Sequence, residues 1–306
     1  MRILVTGATG VVGRRVVPML VRSGHHVTAI ARSPDKRAML THSGAAAIPL
    51  DLFDPNHVRQ AVAGHEAVVN LATHMPSSTW KMLLPWSWHE NDRIRREGSK
   101  NLVDAAIAEH VGRFVQESFA PAYGAHGDEW IDESAPLVPV SYNVSLLDSE
   151  RSAQRFTESG GTGVILRFAA FYGPDAYTLR DMLTSVRMGW SPIPGAPSAF
   201  VSSIAHDDAA TAVVASLGVP AGAYNVCDDD PVRRSEYAAI LAQCAGVRPP
   251  KPMPHWMATV MGSAAELLGR SQRMSNKKLR EAAPGWVPEY PSVREGLPAA
   301  AKEMRR

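Results

Sequence analysis

A strand that runs straight into a glycine turn and then a helix constrains this chain more than any other feature. Residues 1–13 read Met-Arg-Ile-Leu-Val-Thr-Gly-Ala-Thr-Gly-Val-Val-Gly. Ile3, Leu4 and Val5 form a short, wholly apolar run that suits a central parallel strand buried on both faces. Gly7, Gly10 and Gly13 follow, and Val16, Val17, Leu20 and Val21 then recur at helical spacing. Glycines at such a turn let the backbone take positive φ and lie close to a ligand. The N–H groups of a helix start carry partial positive charge, so the turn is suited to a pyrophosphate. Strand, glycines and helix in register point to a bound dinucleotide.

The next units repeat the alternation. His26 to Ala31 reads as a second strand and delivers Arg32 to its carboxyl end. An acidic residue there would bond the ribose 2′-OH of NAD, whereas an arginine can pair with the 2′-phosphate of NADP. NADP is therefore the expected cofactor, with NAD as the alternative, and Arg14, Arg15 and Arg37 are candidates to add to the same pocket. Ala45 to Leu50 gives a third strand ending in Asp51 and Leu52, and Asn56 to Val62 a helix behind it. Ala67 to Ala72 is a fourth apolar strand that runs into Thr73 and His74. Repeated βα units define a doubly wound sheet whose ligands sit beyond the carboxyl ends of its strands, so Thr73 and His74 are expected at the mouth of a cleft.

Met75 to His89 breaks the pattern with Trp80, Trp86 and Trp88, either as an aromatic wall for an apolar substrate or as a surface loop packed by its own tryptophans. Ile94 to Ala108 returns to helical periodicity, Arg113 to Gln116 is a fifth strand, and a helix holds Tyr142, Leu146, Leu147 and Phe156. Gly163 to Phe168 is a sixth strand, and Ala223 to Cys227 returns late to the sheet. The expected organisation is a large domain over 1–173, rejoined by 204–227, with 174–203 and 228–306 forming a smaller lobe over the cleft.

Formal net charge is only +2 with no basic tract, which argues against a nucleic-acid partner. Cys227 and Cys244 are the only cysteines and lack metal-ligand spacing, so neither a disulfide framework nor a zinc site is expected. No apolar run reaches membrane-spanning length, and no leader pattern precedes the first strand. A cytoplasmic protein acting on a small molecule, with no metal and no membrane partner, is the expectation. The apolar segment 255–268 reads as a helix of the smaller lobe or as a membrane-surface or dimer helix.

These stretches resemble the extended short-chain dehydrogenase/reductase superfamily, in particular its NAD(P)-dependent epimerase/dehydratases, across nearly the whole chain. The resemblance implies an α/β, doubly wound parallel Rossmann sheet with a smaller C-terminal substrate lobe. It places Gly7, Thr9, Gly10, Val11, Val12 and Gly13 in the cofactor loop, Asp51 and Leu52 at the adenine, and Leu71, Ala72 and Thr73 beneath the cofactor. Leu166 to Pro174 is similar to the segment that brackets the nicotinamide, with Phe171 expected at the substrate. Many related proteins pair through a helical face of the large lobe, so a homodimer stays open.

The family's catalytic set is a Ser or Thr after the fifth strand, a Tyr, and a Lys four residues beyond that Tyr. Tyr142 matches the tyrosine, but Leu146 stands at the lysine position, and no lysine occurs between Lys100 and Lys251. Phe119 occupies the hydroxyl position, with Ser118 one residue earlier. Without a nearby cation Tyr142 should stay a neutral phenol near its ordinary pKa of about 10, a proton donor but a poor base, which favours reduction. Tyr142 and Ser118 are therefore the candidate catalytic residues, with His74, Phe119 and Phe171 at the substrate, and Glu117 and Tyr123 further candidates at the cleft. Ser118 could instead satisfy neighbouring backbone. His206-Asp207-Asp208 reads as a helix-capping and lobe-docking group ahead of a metal or acid pair. The expected activity is NADPH-preferring reduction of an apolar or aromatic carbonyl. The alternatives are a nucleotide-sugar epimerase or dehydratase with retained NAD, and a non-catalytic NAD(P)-binding sensor.

Overall fold

The computed structural model describes residues 1–76, 78, 81, 82, 84–141, 143–253 and 262–305. Tyr142, Trp80 and the first part of the 255–268 segment lie outside these residues. The central strands are β1 (Arg2–Thr6), β2 (His26–Ile30), β3 (Ala46–Ile48), β4 (Ala67–Asn70), β5 (Arg113–Phe119), β6 (Thr162–Phe168) and β7 (Gly222–Val226). They form one sheet in the order β3-β2-β1-β4-β5-β6-β7, and every neighbouring pair is parallel. The order reverses between β1 and β4, and that switch point opens a crevice at the carboxyl ends of these strands.

The crossovers are α1 (Gly13–Arg22), α2 (Pro34–His42), α3 (Pro55–Val62), α4 (His89–Arg93), α5 (Ser99–Ala108) and α6 (Leu146–Glu158). Beyond them lie α7 (Tyr177–Arg187), α8 (His206–Ala215) and α9 (Arg234–Ala245). Because successive strand residues face opposite sides, β1 feeds two cores at once. Ile3 and Val5 pack with Val16, Val17 and Leu20 of α1 and with Ala209 and Val213 of α8. Leu4 packs on the other face with Val58, Val62, Leu102 and Phe156 from α3, α5 and α6. Burial on both sides is why this strand reads as an unbroken apolar run. A third apolar cluster joins Leu179 and Leu183 of α7 to Tyr237 and Leu241 of α9 and to Leu297 of the C-terminal helix Val293–Glu303.

Several boundaries differ from those the sequence predicts. β3 stops at Ile48, before Pro49, which has no N–H to give a ladder. β4 stops at Asn70, whose side-chain oxygen accepts the Ala72 N–H at 3.3 Å and turns the chain. The helix expected from Ile94 begins at His89, and a π-turn over Ile94–Gly98 joins α4 to α5. Single π-turns inside helices recur at functional sites. No described helix is long and apolar enough to cross a membrane.

Candidate dinucleotide and substrate site

The glycine turn closes against the end of β4. Gly7 sits at φ +64, and a Cβ there would overlap the Leu71 carbonyl, while a Cβ on Gly13 would overlap the Gly7 carbonyl. Only glycine fits these two positions. The Gly10 N–H donates to the Gly7 carbonyl at 2.9 Å, and α1 begins without a side-chain cap. The Arg14 and Arg15 N–H groups bond the Gly10 and Val12 carbonyls at 3.1 and 3.0 Å, so it is the amides of Val11, Val12 and Gly13 that face a ligand of negative charge.

Beneath this turn a buried polar network fixes the loop after β4. Thr6 donates to Asn70 Oδ1 at 2.6 Å, and Asn70 Nδ2 donates to Gln116 Oε1 at 2.9 Å and Ser99 Oγ at 3.2 Å. The carboxyl ends of β1, β4 and β5 are thereby tied to α5, with Leu71 buried and Ala72 half-buried above them.

At the far end of the crevice, Arg32, Asp51, Phe53 and His57 line a cleft of about 790 Å³. Arg32 is exposed there, and Asp51 accepts the Phe53 N–H at 2.9 Å. Leu52 packs beside Gly98. The expected auxiliary arginines are engaged elsewhere. Arg14 and Arg15 pair with Asp175, Arg15 also reaches Asp207 at 2.7 Å, and Arg37 donates to the Arg32 carbonyl at 2.7 Å. Arg32 is therefore the one of these four arginines whose side chain remains open to this cleft.

The same arginines clasp the start of α8. His206, 3% exposed, shares a proton with Asp175 across 2.7 Å. Burial, reinforced by Arg15, pushes its imidazole down to about 4, so at neutral pH it is uncharged and donates to the carboxylate. Asp208 accepts the N–H groups of Glu289 and Tyr290 at 2.7 and 3.2 Å. The His206-Asp207-Asp208 run acts here as a docking point, and no group of metal-binding side chains occurs among the described residues. Phe171 packs on the Phe168 ring at 5.3 Å and the His206 ring at 5.8 Å.

Beyond β5 the hydroxyl groups are committed. Ser118 is fully buried and donates to Glu150 Oε1 at 2.5 Å. Glu150 is paired with Arg167 at 2.8 Å, and Arg167 donates to the Tyr123 hydroxyl at 2.8 Å. Tyr123 in turn donates to Asn225 at 2.8 Å. Burial raises its phenol to about 12. This chain of bonds holds β5, β6, α6 and β7 together, and the Tyr123 phenol stays protonated at neutral pH with its proton held in the bond to Asn225. Phe119 is half-buried at the end of β5, Leu146 is fully buried at the start of α6, and Thr73 and His74 are exposed beyond β4.

The network around Glu150 was open to detection, since Arg167 interrupts the apolar run Val164, Ile165, Leu166 and a buried arginine demands a carboxylate. Asn91, Arg95 and Asn143, also buried at this mouth, carry no such signal.

A glycine cradle that a Cβ would fill, an uncapped helix start and a free arginine past β2 define a dinucleotide-binding protein of Rossmann type, and they fit an NAD(P) cofactor. A family model described as NAD(P)H-binding matches residues 7–220. The chain belongs to this family, within the extended short-chain dehydrogenase/reductases of epimerase/dehydratase type. It is 31% identical to a 3-diazoavenalumate denitrifying reductase of a Streptomyces species, covering 97% of this chain and 99% of that one. It is 26% identical to a 2-alkyl-3-oxoalkanoate reductase of Shewanella oneidensis, covering 90% and 73% of the two chains. The dTDP-glucose 4,6-dehydratase DesIV of Streptomyces venezuelae, solved with NAD bound, superposes with a TM-score of 0.80 at 21% identity over 100% of this chain and 97% of that one. At that identity the likeness concerns the fold.

Proposed function

We propose that this chain is a reductase that prefers NADP(H) through Arg32 and acts on a small apolar or aromatic acceptor, with 174–203 and 228–306 as the lobe over the substrate. The observation that carries this reading is the pair Phe119 and Leu146, where the family has a hydroxyl and a lysine, in a chain similar from end to end to a reductase. When bound, the dinucleotide supplies the hydride. Gly7, Thr9, Gly10, Val11, Val12 and Gly13 would hold its pyrophosphate, Arg32, Asp51 and Leu52 its adenosine, and Leu71, Ala72 and Thr73 its underside.

The replaced relay favours acceptors with modest proton demand. A carbonyl becomes an alkoxide that must be protonated, and in this reading Tyr142 donates that proton as a neutral phenol while Ser118 stays bound to Glu150. An acceptor that loses a neutral leaving group makes no alkoxide, and the relative named for a diazo substrate and for denitrification supports that class. Phe119, Phe171 and His74 would line the acceptor's side of the cleft.

The test is oxidation of NADPH and NADH by the purified protein with aromatic aldehydes, aromatic ketones and arenediazonium salts, beside Tyr142→Phe. NADPH-preferring reduction supports the reading. A loss in the variant confined to carbonyl acceptors assigns the proton to Tyr142, and unchanged carbonyl reduction removes it from the mechanism. Dinucleotide binding without reduction of any acceptor would favour the sensor.

A further inference from the structure

At the mouth of β4 and β5, buried side chains keep polar atoms with no partner. Asn91 is fully buried, and its Oδ1 accepts the His74 N–H at 3.0 Å while its Nδ2 is unpaired. Arg95, one turn further on with its side chain 5% exposed, donates from Nη2 to Glu117 Oε1 at 3.3 Å. Arg95 Nε and Glu117 Oε2 are both unpaired. Asn143, 1% exposed, accepts the Val140 N–H at 2.8 Å through Oδ1 and leaves Nδ2 unpaired. Ser145 bonds Asp92 at 2.6 Å, and Arg96 bonds Asp148 at 3.2 Å. These two bonds lash the segment carrying Asn91 and Arg95 to the segment carrying Asn143.

Buried polar groups are almost always paired, so three donors and one acceptor left over at one mouth mark a missing partner. Arg95 and Glu117 already neutralise one another, which leaves no counter-charge for an anion. A hydroxyl meets most of the requirement, because its oxygen accepts from two of these three N–H groups while its proton goes to Glu117 Oε2. Phe119, half-buried two residues beyond Glu117 and so on the same side of β5, gives the region apolar surface, which suits an aromatic body over a sugar.

We infer that Asn91, Arg95, Glu117 and Asn143 form a recognition site for the phenolic hydroxyl of an aromatic substrate. The inference rests on the reductase reading above for its substrate and names the group by which that substrate is held. Asn91, Arg95 and Asn143 are specificity residues, distinct from the proton donor.

The test is calorimetric titration of the full chain, with and without saturating NADP⁺, using 4-hydroxyacetophenone and its methyl ether. The hydroxyl compound should bind about tenfold or more tightly, because the ether cannot donate to Glu117. Asn143→Asp keeps the oxygen that holds the Val140 N–H but removes the donor, and Arg95→Lys keeps the charge beside Glu117 but removes Nε–H. Each variant should abolish the preference for the hydroxyl while leaving NADP⁺ affinity unchanged. Equal affinity for phenol and ether, or no binding of either up to about 10 mM, overturns the site and assigns the orphan atoms to ordered water. A preference that survives in both variants overturns it too. Failure of NADP⁺ to bind is a separate result that removes the reductase reading, and the titration without dinucleotide still decides the hydroxyl site.

Discussion

Asp228 offers a stability test whose sign is fixed by its surroundings. It follows β7, is 2% exposed, and neither carboxyl oxygen has a partner. Its own N–H donates to the Ser203 carbonyl at 2.7 Å. Burial pushes the carboxyl well above its ordinary range, and Asp208, Asp229 and Glu295 add to the rise. Tyr172 and Tyr237 also lie within its field, as neutral phenols raised by their own burial, and Asp229 is tied to Arg280 at 2.8 Å. The folded chain therefore keeps a proton that the unfolded chain releases above a pH of about 4. More protons bound in the native state means that stability falls as pH rises, by about 1.4 kcal/mol per pH unit, until the folded carboxyl itself ionises. Asp228→Asn preserves shape and neutrality and has no such slope. Urea unfolding of both proteins at steps between pH 4.5 and 6.5 should show the variant gaining on the parent, by about 2.7 kcal/mol over those two units if the native carboxyl stays protonated throughout. Asp208 titrates in the same direction in both proteins, so the difference between the curves isolates position 228. A difference that does not change with pH would show that Asp228 ionises alike in the folded and unfolded chains, and would refute the argument.

His206 has the opposite slope. Burial, with Arg15 beside it, lowers its pKa to about 4, so the unfolded chain binds the extra proton as pH falls below about 6.5. Stability should then drop by about 1.4 kcal/mol per pH unit down to about pH 4, and His206→Asn should lose that dependence in urea unfolding. Gly7→Ala forces a Cβ into the Leu71 carbonyl at positive φ, and should cost more than about 1 kcal/mol in thermal melts and abolish dinucleotide binding. Retained NADP⁺ affinity would contradict the role given to the turn. Arg32→Ala should weaken NADP⁺ about tenfold or more and leave NAD⁺ unchanged by calorimetry. Glu150→Gln leaves Arg167 buried without a counter-charge, and should cost about 3–5 kcal/mol in denaturant unfolding. A loss below about 1 kcal/mol would mean that water reaches the pair.

What the sequence determined by itself is the part governed by short-range chemistry. The glycine turn, the apolar strands and their helical partners were legible because backbone sterics and side-chain periodicity act within a few residues. The positions of Gly7, Arg32, Asp51 and Leu71 along the strand ends followed from the same logic, whereas the missing lysine four residues after Tyr142 has meaning only through the resemblance to the family. Tertiary structure alone decided which side chains were already spent. Arg15 and Asp207 are 192 residues apart in sequence and 2.7 Å apart in space, so Arg15 is not available to a phosphate beside Arg32. Ser118 reads as a free hydroxyl until Glu150, 32 residues later, is brought to 2.5 Å from it. Asn91 and Asn143 look like ordinary loop and helix polar residues until packing closes over them and leaves their amides unpaired. A hydrogen bond or ion pair is set by distance in space and by exclusion of water, and neither quantity is written in the local order of residues.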